Sequence, residues 1–226
     1  MMIFDILSLI SFLISVSAVI FGVTIVSKNK IPMYFKFMVG TALCHMLREL
    51  YIQISYICGN LYNNTIAEML AVVGSVLFLF SAEYGLIDKI VDDGSTKKVI
   101  KLVSCTIPMI LIFGYVIMLA AGLSNNHLKM IACGLIVLLM VFASYLNMKH
   151  LIMEEDEVGF LKSSRSCNIC AIIYYFGLEV LWISEIIGIQ FFSEMVNLLL
   201  SVIVLALVLS AKMGVKKWKI LISSFT

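Results

Sequence analysis

Two stretches of this chain set residues that could do chemistry inside apolar runs. In "LCHMLRELYIQ", residues 43–53, a histidine, an arginine and a glutamate crowd about one helical turn. At about 100° per residue, Thr41, His45, Arg48, Glu49 and Tyr56 line one stripe of a helix, with Ile52 among them. In "YYFGLEVLWISEII", residues 174–187, Tyr175, Glu179, Trp182 and Glu185 cover an arc of roughly 120°. One guanidinium facing up to three carboxylates suits ion pairing, proton exchange or the binding of a small charged solute. Counted along the two helices in the same direction, Arg48, Glu49 and Glu179 share a depth, and Glu185 sits about a turn and a half further out. The expectation is an Arg48–Glu179 pair across a helix bundle, with Glu49 or Glu185 as surplus carboxylate. The candidate ligand- or ion-binding site is therefore His45, Arg48, Glu49, Tyr175, Glu179, Trp182 and Glu185. The plainer reading of the same residues is a structural clamp between two helices.

The elements that carry these residues are membrane helices. Apolar residues make up 62% of the chain and charged ones 13%, and the mean hydropathy is +1.08. A run of about 20 apolar residues spans a bilayer, and such runs follow one another here. In lipid the backbone groups must be satisfied within each segment, which requires helices, since "VNLLLSVIVLALVL" has none of the alternation of a barrel strand. The fold class expected is an all-α polytopic membrane protein, one domain over 1–226. It has seven transmembrane helices, at about 4–27, 33–58, 66–88, 99–122, 127–148, 168–190 and 194–214. A charge at mid-bilayer costs roughly 2.5–3.5 kcal/mol on insertion scales, so the His45–Arg48–Glu49 stripe must face protein or water.

Lysine and arginine set the orientation. Fourteen of the 16 flank alternate connections and the C-terminal tail. Lys129 falls on the other side, and Arg48 lies within a span. The bias gives an N-out, C-in chain in the plasma membrane and requires an odd number of spans. The N-terminal stretch has no basic n-region and too long an apolar run for a cleaved signal, so it reads as a retained first helix. Six cysteines suggest no disulfide frame, because only Cys58 lies near the outer surface. Cys167 and Cys170 lack a second pair for zinc, so no metal or other cofactor is expected. The net charge of +2 gives no reason to invoke nucleic acid. The acidic loop "MEEDEVGFLKSSR", 153–165, is a candidate docking site for a cytoplasmic protein partner. The basic, aromatic tail "VKKWKILISSF" reads as an anchor on anionic lipid.

An internal repeat is also legible. Glu68-Met69 and Ser75-Val76 match Glu194-Met195 and Ser201-Val202 at the same offset, and Glu49 falls on Glu179 when "ELYIQISYICGN" is set against "EVLWISEIIGIQ". Repeats over 1–90 and 125–215, joined by a linker helix at 99–122, make a 3+1+3 parallel plan. In layout this resembles the sugar-transporting SWEETs and the microbial rhodopsins. However, no Pro-Gln dipeptide occurs, and the last span has no mid-span lysine for a retinal Schiff base. In span number and orientation the chain is also similar to the membrane sensor regions that precede bacterial histidine kinases, although no kinase motif follows. The function expected is a small-solute or proton/cation-coupled transporter. The alternative is a seven-helix receptor or sensor that signals to a cytoplasmic partner. No HExxH, GxSxG or paired-Asp motif suggests an enzyme. The charge split predicts that a reporter fused after residue 226 is cytoplasmic and that a tag at 60–65 is accessible from outside. Labelling of residues 93–96 by an impermeant reagent applied from outside would reverse this topology.

Overall fold

The structure, a computed structural model, describes residues 2–28, 33–58, 64–83, 98–122, 127–152 and 159–225. The described residues are helical throughout, apart from short turns. The helices are α1 (Met2–Lys28), α2 (Met33–Cys58), α3 (Asn64–Glu83), α4 (Lys98–Ser104), α5 (Thr106–Ala120), α6 (His127–Ile152), α7 (Gly159–Ile187) and α8 (Gln190–Phe225). Five segments are long and apolar enough to cross a membrane: Ile6–Ser27, Ile100–Ala120, His127–Ile152, Arg165–Ile187 and Gln190–Met213. The chain is thus a multi-pass membrane protein whose apolar outer surface suits a lipid bilayer. α2 is not among the five, and it is the helix that carries Lys36, His45, Arg48 and Glu49.

α4 and α5 are two parts of one span. Pro108 has no N–H to give the fourth residue before it, so the ladder loosens near Cys105. The amide of Cys105 divides between the Lys101 and Leu102 carbonyls, and Met109 resumes the pattern on the Cys105 carbonyl. α7 and α8 are joined by a tight turn. Gly188 takes a left-handed φ of 83°, and its amide and that of Ile189 both close on the Ser184 carbonyl. This ends α7 before the expected limit at 190. α8 then runs through 214 to Phe225 as continuous helix. The expected third span reached 88, of which 84–88 lie outside the described residues, as does 153–158 of the acidic loop.

Helix packing closes a ring in the order α1, α2, α3, α6, α7, α8, back to α1. α8 also touches α2, and α5 lies outside the ring against α6 and α7. The core is apolar and runs through Phe35, Leu111, Met118, Ile136, Met140, Leu181, Leu200 and Leu207. At the α7–α8 seam Gly177 meets Leu200. A β-carbon at 177 would stand 2.7 Å from Leu200 Cδ2, and Leu200 is fully buried. Gly177→Val is therefore expected to destabilise the folded bundle by about 1–3 kcal/mol through overpacking, read as a lower midpoint of thermal unfolding in detergent. An unchanged midpoint would show that the seam has room to spare.

Candidate functional site

The site forms where α1, α2 and α8 meet. α1 presents Ser8, Ser11 and Ser15, spaced three and four apart, as one buried stripe of small polar residues. α8 contributes Asn197 and Ser201, one turn apart and both buried. α2 contributes His45, Arg48 and Glu49, all nearly inaccessible.

Glu49 is fully buried and both its oxygens are engaged. Oε1 accepts from Arg48 Nη1 at 2.7 Å, and Oε2 accepts from Asn197 Nδ2 at 2.9 Å and from Ser11 Oγ at 3.2 Å. The same Arg48 nitrogen donates to Asn197 Oδ1 at 2.8 Å. Arg48, Glu49 and Asn197 thus form a closed triangle. Adjacent residues on a helix do not ordinarily face each other. Asn197 overcomes this by accepting from one and donating to the other.

From Glu49 a hydrogen-bond chain links four helices, α2, α1, α8 and α7. Ser11 Oγ lies 2.7 Å from Ser201 Oγ, His45 Nε2 lies 3.1 Å from Ser201 Oγ, and Tyr174 on α7 lies 3.3 Å from His45 Nδ1. With the Ser11 proton on Glu49, the remaining links follow from the donor inventory. Ser201 donates to Ser11, His45 donates through Nε2 to Ser201, and Tyr174 donates to His45 Nδ1. Every proton in the chain then points towards one carboxylate. Tyr174 also sets its ring edge-on to His45, with centroids 5.9 Å apart.

In another direction the network reaches the bundle end marked by Gly188. Arg48 Nη2 lies 3.9 Å from Glu185 Oε1, and Glu185 Oε2 accepts from Lys129 Nζ on α6 at 3.0 Å. Glu185 is 22% exposed, against 4% for Arg48 and none for Glu49, so the charge network runs from a half-open end into a dry interior.

Of the seven residues singled out from sequence, His45, Arg48, Glu49 and Glu185 come together here. The other three do not join them. The expected Arg48–Glu179 pair is absent, because α7 splits its polar residues between two sides. By helical periodicity Tyr174 and Glu185 lie within roughly 20° of each other, and Glu179 is turned away from both by about 120–140°. Tyr175 instead accepts from Asn147 Nδ2 on α6 at 3.1 Å, Trp182 is buried in the apolar core, and Glu179 faces α5. Asn197, Ser11, Ser201, Tyr174 and Lys129 were not expected. A polar residue alone in an apolar run, as Asn197 is in "EMVNLLLS", was the signal available for the first.

Comparison with protein-family models, with curated proteins and with solved structures finds no match to this chain. The triangle makes its own prediction. Arg48→Met or Glu49→Gln alone strands a buried polar partner and costs about 3–5 kcal/mol. The pair together is expected to couple by about 0.5–3 kcal/mol in a double-mutant cycle on thermal unfolding, whereas Arg48→Met with Glu179→Gln adds to within about 0.5 kcal/mol. The reverse pattern would restore the Arg48–Glu179 pair.

Proposed function

We propose that this protein is a proton-coupled carrier of a small polar solute or cation, with Glu49 as the carboxylate that exchanges the proton. The observation that carries this reading is the hydrogen-bond chain Tyr174–His45–Ser201–Ser11–Glu49, which abuts the Arg48–Glu185 ion network. Each hydroxyl or imidazole in such a chain can pass one proton on while receiving another, so the chain can reverse its direction as Glu49 gains or loses a proton. A purely structural clamp has little need of this. Buried ion pairs are often replaceable by apolar residues at no loss of stability, so a chain of four polar groups feeding one carboxylate favours a working site. Lys129 and Glu185 form its mouth at the Gly188 end.

The proposal places the chain in the plasma membrane with seven spans, the N-terminus outside and the C-terminus in the cytoplasm. α4 and α5 form the fourth span and link two parallel three-helix repeats. The ring order supports the repeat, since exchanging α1, α2, α3 for α6, α7, α8 leaves every neighbour relation around the ring intact. The likeness is one of helix order and does not extend to the two glutamates, because Glu49 faces α1 and α8 while Glu179 faces α5.

The test is proton movement in proteoliposomes loaded with a pH-sensitive dye and challenged with panels of amino acids, sugars, amines and inorganic cations. At least one class is expected to drive proton flux above that of empty liposomes. Glu49→Gln should abolish the flux and Tyr174→Phe should slow it. Saturable binding of a solute with no flux of solute or proton would replace the carrier with a receptor using the same pocket.

A further inference from the structure

On the far side of α7 lies a carboxyl group that the Arg48 network does not use. Glu179 is 4% exposed, and its Oε1 has no hydrogen-bond partner. Its carboxyl group lies against α5 at Gly114, where a β-carbon would stand 2.8 Å from the carboxyl carbon. A side chain at 114 would push the acid out of this position. Several ionisable side chains on the packed helices are committed elsewhere. Tyr115 on α5 donates to the Met130 carbonyl, Lys129 on α6 is held by Glu185, and Tyr175 on α7 accepts from Asn147. On α8, Glu194 and Lys212 lie towards opposite ends of the span, and Lys212 sits over the Phe21 ring. α5 itself turns Met109, Ile110, Phe113, Val116 and Ile117 outward, so one helix separates Glu179 from lipid.

An ionised carboxylate in this setting would be buried with no ion-pair partner among the described residues, which costs far more than burying the neutral acid. We propose that Glu179 is a proton-exchanging site in its own right, a neutral carboxylic acid held under α5 at Gly114 and reached from the lipid side past that helix. It is separate from the Arg48 network and does not depend on the carrier reading.

A neutral buried acid has a specific reactivity. Its O–H adds across one C=N bond of a carbodiimide, the proton going to nitrogen and the carboxyl oxygen to the central carbon. The acyl group then migrates from oxygen to nitrogen and leaves a stable N-acylurea, with no leaving group and no oxidant. The experiment treats the full chain in lipid bilayers with dicyclohexylcarbodiimide, which partitions into lipid, and maps the adduct by mass spectrometry. In parallel, the infrared carbonyl stretch of protonated carboxyl groups is recorded for the wild type, Glu179→Gln and Glu49→Gln. The expected result is an adduct on Glu179 in excess over Glu49 and Glu185, lost in Glu179→Gln, together with a protonated-carboxyl band that Glu179→Gln removes. Absence of the adduct from Glu179 in the wild type overturns the proposal, as does a band that survives in Glu179→Gln.

Discussion

The Glu49 carboxylate is the constraint on which the rest of this structure depends. It is wholly removed from water inside an apolar bundle, and such a charge persists only if its lone pairs are matched. Arg48, Asn197 and Ser11 match them, and each comes with requirements of its own. Arg48 needs Asn197 to turn it back towards its neighbour in sequence. Asn197 must be held at the level of Glu49 by α8, and Ser11 fixes the face that α1 presents. The meeting of α1, α2 and α8 is therefore specified by polar geometry, in a setting where apolar side chains alone would discriminate poorly between lipid and protein.

α7 divides the remaining polar residues into two groups. Tyr174 and Glu185 join the network, Tyr174 ending the hydrogen-bond chain at His45 and Glu185 joining Arg48 to Lys129 at the bundle end. Glu179, Tyr175 and Trp182 face the other way, towards α5, α6 and the apolar core. One helix thus separates a charge-balanced, hydrogen-bonded carboxylate from one with no ion-pair partner among the described residues. The two glutamates that fall together when the α2 sequence is set against that of α7 occupy opposite chemical environments, one ringed by donors and the other pressed against a glycine.

The helical fold was largely legible in the sequence, because runs such as "VNLLLSVIVLALVL" leave no alternative in lipid. The start of α2 at Met33 and of α6 at His127 follow directly. One limit that differs has a local cause, the left-handed Gly188 that stops α7. The candidate site was half legible. The cost of burying His45, Arg48 and Glu49 located α2 as its centre. Its partners were misjudged for a physical reason. Depth along two helices can be counted from sequence, but rotation of each helix about its axis cannot, and rotation decides whether Glu179 or Glu185 meets Arg48. Helical spacing puts Arg48 and Glu49 on one stripe but gives no reason to pair adjacent residues, because it takes no account of a third group such as Asn197. Serines 8, 11 and 15 read as ordinary small residues until α2 and α8 are placed beside them.

The central claim is that this network is a site reached from the Gly188 end and more than a clamp. The most direct measurement introduces single cysteines at Ser11, Asn197 and Glu185 in a background freed of the six native ones, and follows their reaction with a membrane-impermeant thiol reagent applied to one face at a time. The account predicts that Glu185→Cys reacts fastest and that Ser11→Cys and Asn197→Cys react more slowly but measurably from that same face, as the interior opens transiently. Reaction at Glu185→Cys alone, with the two deeper positions inert from both faces, would contradict it and leave the network as a static clamp.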